Sequence, residues 1–383
     1  MSLEKRPDVR FLSQLYAQDE PDAVMLVEYP SSNSDQTRFQ NRNRFIIHDP
    51  FPPPRPELLK ILGPHHLMCG WGNEVRVCSE IPPPAPLVQH WKRMLGSDVC
   101  PTWQSFDPTD RYHTLFPHES ITADRQVVDP AVNYKLHSKE VIEEIACPQA
   151  LVLDSVTPPC IVKLSHGYAG LGNYFIHKSA DEAEMREQLQ QHWPDAALVV
   201  NSIIEDICGD FGVQFYLHKD GTMVWLGVTQ QHFDSAMKWS GGAFSSDLQD
   251  SLFDAAGDIV EAAGEYLHNA GYVGLVGIDI LRDASDRHFL VDVNPRLTGI
   301  SPFLMTSRIF SRHGFSEGVY RASVRVKGSL EQLIETAEAA DNARVVVVSA
   351  YEEPDARHTI CHLSANSDCR QVCDRLLDLI AES

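Results

Sequence analysis

The chain has 383 residues, of which 53 are acidic and 32 basic, and its formal net charge is −21. This charge disfavours nucleic acid and anionic membrane surfaces as partners, because both carry charge of the same sign. An anionic small molecule would therefore require a locally basic pocket or a metal ion.

The cysteines and the hydropathy pattern indicate the cellular compartment. Nine cysteines, an odd number without a close C-x-x-C pair, favour a reducing compartment over a disulfide framework or a zinc site. No apolar run of about 18 residues and no signal-like N-terminus is present. We therefore predict a cytoplasmic protein of two or three domains.

The N-terminal part alternates strand-like and helix-like segments, a pattern typical of a small α/β unit. The predicted segments are strands at 23–29, 44–48 and 65–71 and helices at 57–62 and 87–95.

Two lysines open the middle of the chain. A helix is predicted to begin near Tyr134 and to place Lys135 and Lys139 on one face, four residues apart. An apolar strand follows at 160–164, and it contains Lys163.

A glycine-rich loop, Ser165-His-Gly-Tyr-Ala-Gly-Leu-Gly172, follows this strand. Its backbone could approach a ligand closely, and consecutive N–H groups could surround phosphate oxygens. The loop is not a Walker P-loop, and the strand-like segment 174–177 does not fit a Rossmann fingerprint. A hairpin turn without a ligand is the alternative interpretation.

The next segments are predicted as helix 180–192, strands 198–202, 213–218 and 223–229, a polar loop over a site at 230–244 and a long helix at about 247–270. In that loop Gln231, His232 and Lys238, together with His166 further upstream, could lie near a substrate. A solvated loop is the alternative.

The stretch from Gly274 to Gly299 predicts a hairpin. Strands 275–281 and 288–294 are joined by a polar turn, and a four-residue turn that pairs Asp283 with His288 sets Asp279 opposite Asp292. Like charges placed so repel each other, so a cation should lie between them.

Asn294 shares the face of Asp292, and this Asp, Asp, Asn set offers the hard oxygen ligands that Mg²⁺ favours. Arg296, two residues further on, could hold a phosphate or carboxylate by two hydrogen bonds. A polar edge hairpin with solvated acids is the alternative. The remaining tail, with strands at 323–326, 345–350 and 359–364 and helices at 329–339 and 368–381, shows no ligand chemistry and should complete the fold.

In their order along residues 125–310, these features resemble the ATP-grasp superfamily of carboxylate ligases. The sequence Val291-Asp-Val-Asn-Pro-Arg296 is similar to the E-x-N-P-R ending of that family, with Asp292 where Glu is commoner. The resemblance implies an α+β and α/β architecture in which two α+β lobes clasp ATP. The implied domains are an N-terminal α/β domain at 1–124, an ATP-grasp domain at 125–320, with lobes at about 125–202 and 203–320, and a C-terminal segment at 321–383.

The resemblance also implies roles for individual residues. Arg296 would be catalytic, and Asp279, Asp292 and Asn294 would hold Mg²⁺ or Mn²⁺. The residues implied to bind ATP are Lys135 and Lys163 at the phosphates, Gly167, Gly170 and Gly172 in a flexible lid, Glu205, Asp206 and Ile207 at the adenine, and Asp210 at the ribose.

The implied activity is ATP-dependent joining of a small carboxylic acid, an amino acid or a peptide, to an amine through an acyl phosphate. Small-molecule acid and amine substrates are the expected partners, and homodimers are common among similar enzymes. Two alternatives stay open: a phosphotransferase with a hydroxyl acceptor, and a non-catalytic protein that binds ATP.

Overall fold

The computed structural model describes residues 2–5, 8–32, 34–35, 37–48, 55, 57–167, 172–234, 238–355 and 357–382. The helices in this part are α1 Leu12–Asp19, α2 Gly63–Met68, α3 Ala85–Leu95, α4 Pro130–Leu136, α5 Val141–Glu144, α6 Ser179–His192, α7 Ser246–Asn269, α8 Ser301–Ser311, α9 Leu330–Glu338 and α10 Arg370–Glu382, with a π-helical turn at Leu58–Leu62 and 3₁₀ turns at Ser97–Val99 and Ala123–Arg125.

The strands of the same ranges are β1 Leu3–Lys5, β2 Val24–Leu26, β3 Val77–Cys78, β4 Trp103–Gln104, β5 Tyr112–Thr114, β6 Cys160–Leu164, β7 Asn173–Ile176, β8 Leu198–Ser202, β9 Ile207–Leu217, β10 Met223–Phe233, β11 Trp239–Ser245, β12 Gly274–Asp283, β13 His288–Asn294, β14 Glu317–Lys327, β15 Arg344–Glu352 and β16 His358–Ser367.

Across the described ranges these strands form three sheets. The largest has nine strands in the order β13-β12-β9-β10-β11-β14-β16-β15, with β1 added beside β10. A parallel sheet has the order β4-β3-β2-β5, and an antiparallel sheet has the order β7-β6-β8. The C-terminal strands β14, β15 and β16 therefore extend the same sheet that contains the hairpin of β12 and β13.

The large sheet has a core on each face. Helix α7 carries a stripe of buried residues at spacings of three and four, which packs against β9, β10 and β13. Alternate residues of the hairpin strands, such as Ile278, Ile280 and Val293, point into this core. Residues of the other parity, such as Tyr216 and Leu275, join a second core with α8 and the N-terminal unit.

Several sequence predictions are confirmed in kind. The chain mixes helices and sheets as expected, and β6 and β8 have the predicted bounds. The tail completes the fold by adding strands to the large sheet. Among the described residues, no helix is long and apolar enough to cross a membrane.

Other predictions are wrong. The segment 65–71 belongs largely to helix α2, because a short apolar run does not distinguish a strand from a buried helix and Pro64 stands in the first turn. The segment 44–48 forms no strand, and only His48 makes an isolated bridge, to Gly167. Helix α8 was not predicted.

The hairpin of β12 and β13 has the predicted pairing at its important point, by a different route. Next to the turn the register is Arg282 opposite His288, one residue away from the prediction. A bulge between Asp279 and Ile280 then shifts the register, and Asp279 lies opposite Asp292 as expected. The bulge leaves Val291 as the extra residue on β13.

Candidate active site

Acidic side chains gather on the face of the large sheet opposite helix α7. Asp279 and Asp292 are direct neighbours on β12 and β13, and Asp210 on β9 points to the same face. Asn294 donates from Nδ2 to Asp292 Oδ2 at 3.3 Å. The structure therefore brings together the predicted oxygen ligands, as the alternation of a strand requires.

Two lysines lie against this cluster. The ammonium of Lys139 forms an ion pair with Asp292 Oδ1. Lys163 donates from Nζ to the carbonyl of Val291 at 2.9 Å. Val291 is the extra residue of the bulge on β13. Burial lowers the pKa of Lys163 although the charge of Asp292 opposes it. A positive site thus adjoins the carboxylates.

Lys139 reaches the cluster because helix α4 ends before it. The helix starts at the cap residue Asp129, whose side chain accepts from two backbone N–H groups, and ends at Leu136. The following turn is fixed to the end of β6, since Lys139 N donates to the Ser165 carbonyl at 2.8 Å and the Ser138 and Ser165 hydroxyls are 2.8 Å apart.

The structure places Lys135 in an exposed ion pair at the end of helix α4. Its ammonium pairs with Glu144 at 3.2 Å and its side chain is 60% exposed. The predicted shared helix face with Lys139 does not exist, because the helix has ended between them. Lys139 is the site residue that the sequence interpretation missed, although the spacing of the two lysines had drawn attention to it.

Gln231, which the sequence named as a residue that could lie near a substrate, is in contact with the carboxylates. Its Nε2 donates to Asp279 Oδ1 at 2.9 Å and to Asp210 Oδ1 at 3.2 Å, so that it joins two carboxylates. The predicted loop is wrong for residues 230–233, which belong to β10, and for residues 239–244, which belong to β11. His232 lies on the opposite face of β10, where its Nε2 is 2.9 Å from Nη2 of Arg370.

The electrostatics of this face fit a divalent cation. Burial, and next the carboxylates of Asp292 and Asp210, raises the pKa of Asp279 to about 8. Burial also raises the pKa of Asp210 to about 6. Burial likewise opposes ionisation of Asp292, but the charges of Lys139 and Lys163 hold its pKa below the ordinary value. A cation beside Asp279 would remove this conflict, and the carboxylate and amide oxygens are ligands that Mg²⁺ accepts.

Arg296 lies directly after these ligands and is only 9% exposed. Its NH2 donates to Asn294 Oδ1 at 2.9 Å, and its guanidinium carbon lies 5.0 Å from the ring centroid of Phe116. Arg296 therefore orients Asn294 and connects the acidic face to the N-terminal unit.

The glycine loop joins β6 to β7 as a hairpin. Gly167 N donates to the Leu164 carbonyl, and Gly172 adopts a positive φ of 81°. A Cβ on Gly172 would come within 2.4 Å of the Leu164 side chain, so this position requires glycine. Gly170 lies outside the described residues.

The predicted adenine segment is exposed at the start of β9. Glu205, Asp206 and Ile207 are all exposed. The Asp206 carbonyl accepts from Ala284 N at 2.9 Å, so one backbone group of this segment is fixed to the turn between β12 and β13.

Comparison with known proteins identifies the arrangement. A family model described as L-aspartate–L-methionine ligase, ATP grasp, matches residues 140–294, the range that contains Lys163, Asp279, Asp292 and Asn294. Residues 140–294 of this chain therefore match the ATP-grasp superfamily, whose fold the chain shares. No curated protein sequence matches this ATP-grasp chain.

Solved structures share the ATP-grasp fold at low sequence identity. An ADP complex of N5-carboxyaminoimidazole ribonucleotide synthetase has a TM-score of 0.54 at 13% identity, covering 82% of this chain and 93% of that one. A biotin carboxylase complex from Campylobacter jejuni has a TM-score of 0.51 at 11% identity, covering 82% and 87%.

A third similar structure is the biotin carboxylase domain dimer of a 2-oxoglutarate carboxylase from Hydrogenobacter thermophilus, with MgADP, ADP and bicarbonate. Its TM-score is 0.50 at 14% identity, covering 80% of this chain and 74% of that one. The ATP-grasp assignment confirms the expected fold and the expected class, an ATP-dependent carboxylate–amine ligase with small-molecule substrates and with ATP and Mg²⁺ as cofactors.

Proposed function

We propose that this ATP-grasp enzyme activates the carboxylate of an amino acid as an acyl phosphate and joins it to the amine of a second amino acid. The observation that carries the proposal is the cluster of Asp279, Asp292, Lys139 and Lys163 with Arg296 beside it. The cluster combines metal ligands, phosphate-binding cations and a buried guanidinium within one face.

The chemistry requires such a cluster. A carboxylate does not react with an amine at neutral pH, because its carbon is electron-rich and its leaving group is poor. Transfer of the γ-phosphoryl group to a carboxylate oxygen provides a good leaving group, and this step depends mainly on positioning and charge neutralisation. Lys139 and Lys163 are positioned to bind the phosphates once a nucleotide displaces their present contacts.

Asp279, Asp292 and Asn294 would hold Mg²⁺, which when bound supplies charge neutralisation at the transferred phosphoryl group. Gln231 fixes the carboxylate of Asp279 by its 2.9 Å hydrogen bond. Arg296 fixes the amide oxygen of Asn294, whose second lone pair remains available to a metal.

Arg296 is proposed to stabilise the acyl phosphate and then the tetrahedral oxyanion formed by amine attack. Its burial supports this role, because a guanidinium acts more strongly where water is excluded. Water exclusion also protects the acyl phosphate from hydrolysis.

The other proposed nucleotide contacts follow the family resemblance. Backbone groups of Glu205, Asp206 and Ile207 would read the adenine and Asp210 would bind the ribose. Gly167, Gly170 and Gly172 would surround phosphate oxygens. Glycine at position 172 supports the last assignment to the extent that the loop conformation depends on it.

The substrates to test first are L-aspartate and L-methionine, because the family that matches residues 140–294 is an L-aspartate–L-methionine ligase family. The test measures ADP released from MgATP with each amino acid alone and with both, and the amide product by mass spectrometry. We expect amide and ADP in equal amounts only when both substrates and Mg²⁺ are present.

The matched control is Asp279→Asn, which removes one proposed metal ligand and puts a neutral amide of the same size in a buried position, so the protein should fold and release no ADP. Release of ADP without any amide across a panel of amino acids would contradict the ligase. Transfer of phosphate to a hydroxyl would then favour the phosphotransferase, and binding of ATP without turnover would favour a protein that only binds nucleotide.

Three further sequence predictions are carried forward as proposals. They are domain boundaries at residues 124 and 320, a cytoplasmic location and a homodimer. Light scattering of the purified chain tests the homodimer. One similar structure, the biotin carboxylase domain of the 2-oxoglutarate carboxylase, is a dimer, which supports the proposal.

A further inference from the structure

The parallel sheet of the N-terminal unit contains a position where ligands bind in α/β folds. Its order is β4-β3-β2-β5, so the chain leaves β2 on one side to form β3 and β4 and returns on the other side as β5. In α/β sheets, ligands bind in the crevice at the carboxyl ends of the strands on either side of such a reversal, here β2 and β5. Tyr29 follows β2 and Phe116 follows β5, and their ring centroids are 5.6 Å apart.

This crevice meets the ATP-grasp site at Arg296. The Phe116 ring is contacted by the Arg296 guanidinium, 5.0 Å from the centroid, and by the His137 ring, whose centroid is 4.5 Å away. His137 is the residue that follows helix α4, two positions before Lys139. The crevice thus lies between the N-terminal sheet and the proposed catalytic residues.

Three polar atoms at this junction have no hydrogen-bond partner within the described ranges. They are Asn133 Oδ1, His137 Nε2 and Arg296 Nε. The residues are 1%, 7% and 9% exposed, so each is at least nine-tenths buried. Buried polar atoms normally have partners, and unsatisfied ones at a junction indicate a ligand or ordered water.

The hydrogen-bonding character of each atom is fixed by its neighbour. His137 Nδ1 lies 2.9 Å from the Asn133 carbonyl and must donate to it, so Nε2 of the neutral ring is an acceptor. Asn133 Nδ2 donates to Thr114 Oγ1 at 3.4 Å, which leaves Oδ1 as an acceptor. Burial, and next the charge of Arg296, lowers the pKa of His137, so the ring stays neutral at physiological pH.

One cationic donor and two neutral acceptors around Phe116 complement a zwitterion. A carboxylate matches the Nε–H of Arg296, since its two Nη groups already donate to the Leu297 carbonyl and to Asn294 Oδ1. An ammonium group matches His137 Nε2 and Asn133 Oδ1. A phosphate group fits poorly, because its oxygens would face two acceptors. A simple carboxylic acid would leave both acceptors unsatisfied.

We propose that this junction is the specificity site for the acid substrate, in which Arg296 binds the carboxylate to be activated and His137 with Asn133 binds the α-ammonium group of the same amino acid. The inference rests on the proposed ligase function and names the substrate class of that site, an α-amino acid with a free amino group. His137 and Asn133 act here as specificity-determining residues.

The test compares each amino acid with its analogue that lacks the α-amino group. Hydroxamate is measured with MgATP and hydroxylamine, using L-aspartate against succinate and L-methionine against 4-(methylthio)butanoate. In the wild type the amino acid should have the higher kcat/KM. In His137→Leu that preference should fall about tenfold or more, because a buried hydrogen bond to a charged group is lost.

Two variants separate recognition from structure. His137→Gln retains an acceptor oxygen near the position of Nε2 and should keep most of the preference. His113→Leu removes a buried histidine of β5 whose ring packs on Tyr16, with centroids 4.7 Å apart, and should not change the preference. A ratio measured within one variant is unaffected by loss of folded protein.

An equal loss of kcat/KM for both acids in His137→Leu would show a structural role and overturn the inference, as would a wild type without preference. If no acid yields hydroxamate, the proposed function fails, and equilibrium dialysis of labelled L-aspartate and L-methionine decides the inference separately. Binding that weakens in His137→Leu and not in His113→Leu would support the site, and binding that is absent or unchanged would overturn it.

Discussion

Two lysines four positions apart have different surroundings. Lys139 is largely buried and pairs with Asp292, whereas Lys135 is exposed and pairs with Glu144. A surface ion pair contributes little, because water and salt screen it. The buried pair holds a positive charge beside the carboxylates at which phosphates would bind.

We expect Lys139→Met to weaken MgATP binding roughly ten- to hundred-fold, since it removes a charged hydrogen bond at a buried site. Calorimetric titration with MgATP checks this. Lys135→Met is the matched control, and its affinity should equal that of the wild type. Equal affinities of the two variants would contradict the assignment of Lys139.

The sequence could predict the carboxylates better than the lysine. Asp279 and Asp292 follow from strand alternation and from the short distance to the turn, which are local properties. After helix α4 ends, Ser138 and Lys139 form hydrogen bonds with Ser165, which is distant in sequence. The contacts of the Phe116 ring with His137 and with Arg296 likewise join residues from separate parts of the chain.

At the scale of elements, the end of α1 is joined to the turn between β9 and β10. Asp19 accepts from His218 Nδ1 at 2.9 Å and from Lys219 N at 3.2 Å, and its side chain is 9% exposed. Burial alone would raise the pKa of Asp19, but these hydrogen bonds and the charge of His218 lower it. The contact joins the N-terminal unit to the large sheet.

A lowered pKa means that ionised Asp19 stabilises the fold above its unfolded pKa of about 3.9, and that this contribution is lost as pH falls through the lower folded pKa. We expect Asp19→Asn to reduce the free energy of unfolding by about 1–3 kcal/mol at pH 7. The difference from the wild type should shrink below about pH 4. Urea unfolding at both pH values measures it.

The control for this prediction is Asp250→Asn, whose carboxylate pairs with Lys5 and is 82% exposed. Its effect at pH 7 should stay below about 0.5 kcal/mol. A loss for Asp19→Asn that persists unchanged at low pH would show that the ionised carboxylate is not the stabilising group.

Elements were predictable where local pattern decides them, and register was not. The long helix α7 and strands β6 and β8 follow from hydrophobic periodicity. Hydrophobic periodicity does not reveal the bulge at Val291. The Val291 carbonyl accepts from Lys163, and a local pattern does not record a contact between residues so far apart in the chain. Residues 65–68 of the short buried run at 65–71 belong to helix α2, because an apolar run of this length does not distinguish a strand from a buried helix.

At the scale of the whole molecule, one sheet connects segments that the sequence divides. The hairpin of β12 and β13, which carries the proposed metal ligands, forms one edge of this sheet, and β15 forms the opposite edge. The N-terminal parallel sheet adds its crevice beside Arg296. Strand order across such distances depends on contacts between residues far apart in the chain, and no local pattern in the sequence specifies it.

The central claim is that ATP phosphorylates the acid substrate before the amine attacks. The most direct measurement supplies L-aspartate labelled with ¹⁸O in its carboxylates, together with MgATP and L-methionine, and examines the inorganic phosphate by ³¹P NMR. A labelled carboxylate oxygen becomes bonded to the γ-phosphorus in the acyl phosphate. Attack by the amine then breaks the carbon–oxygen bond, so ¹⁸O should pass from the acid to phosphate. Amide formation with unlabelled phosphate would contradict it.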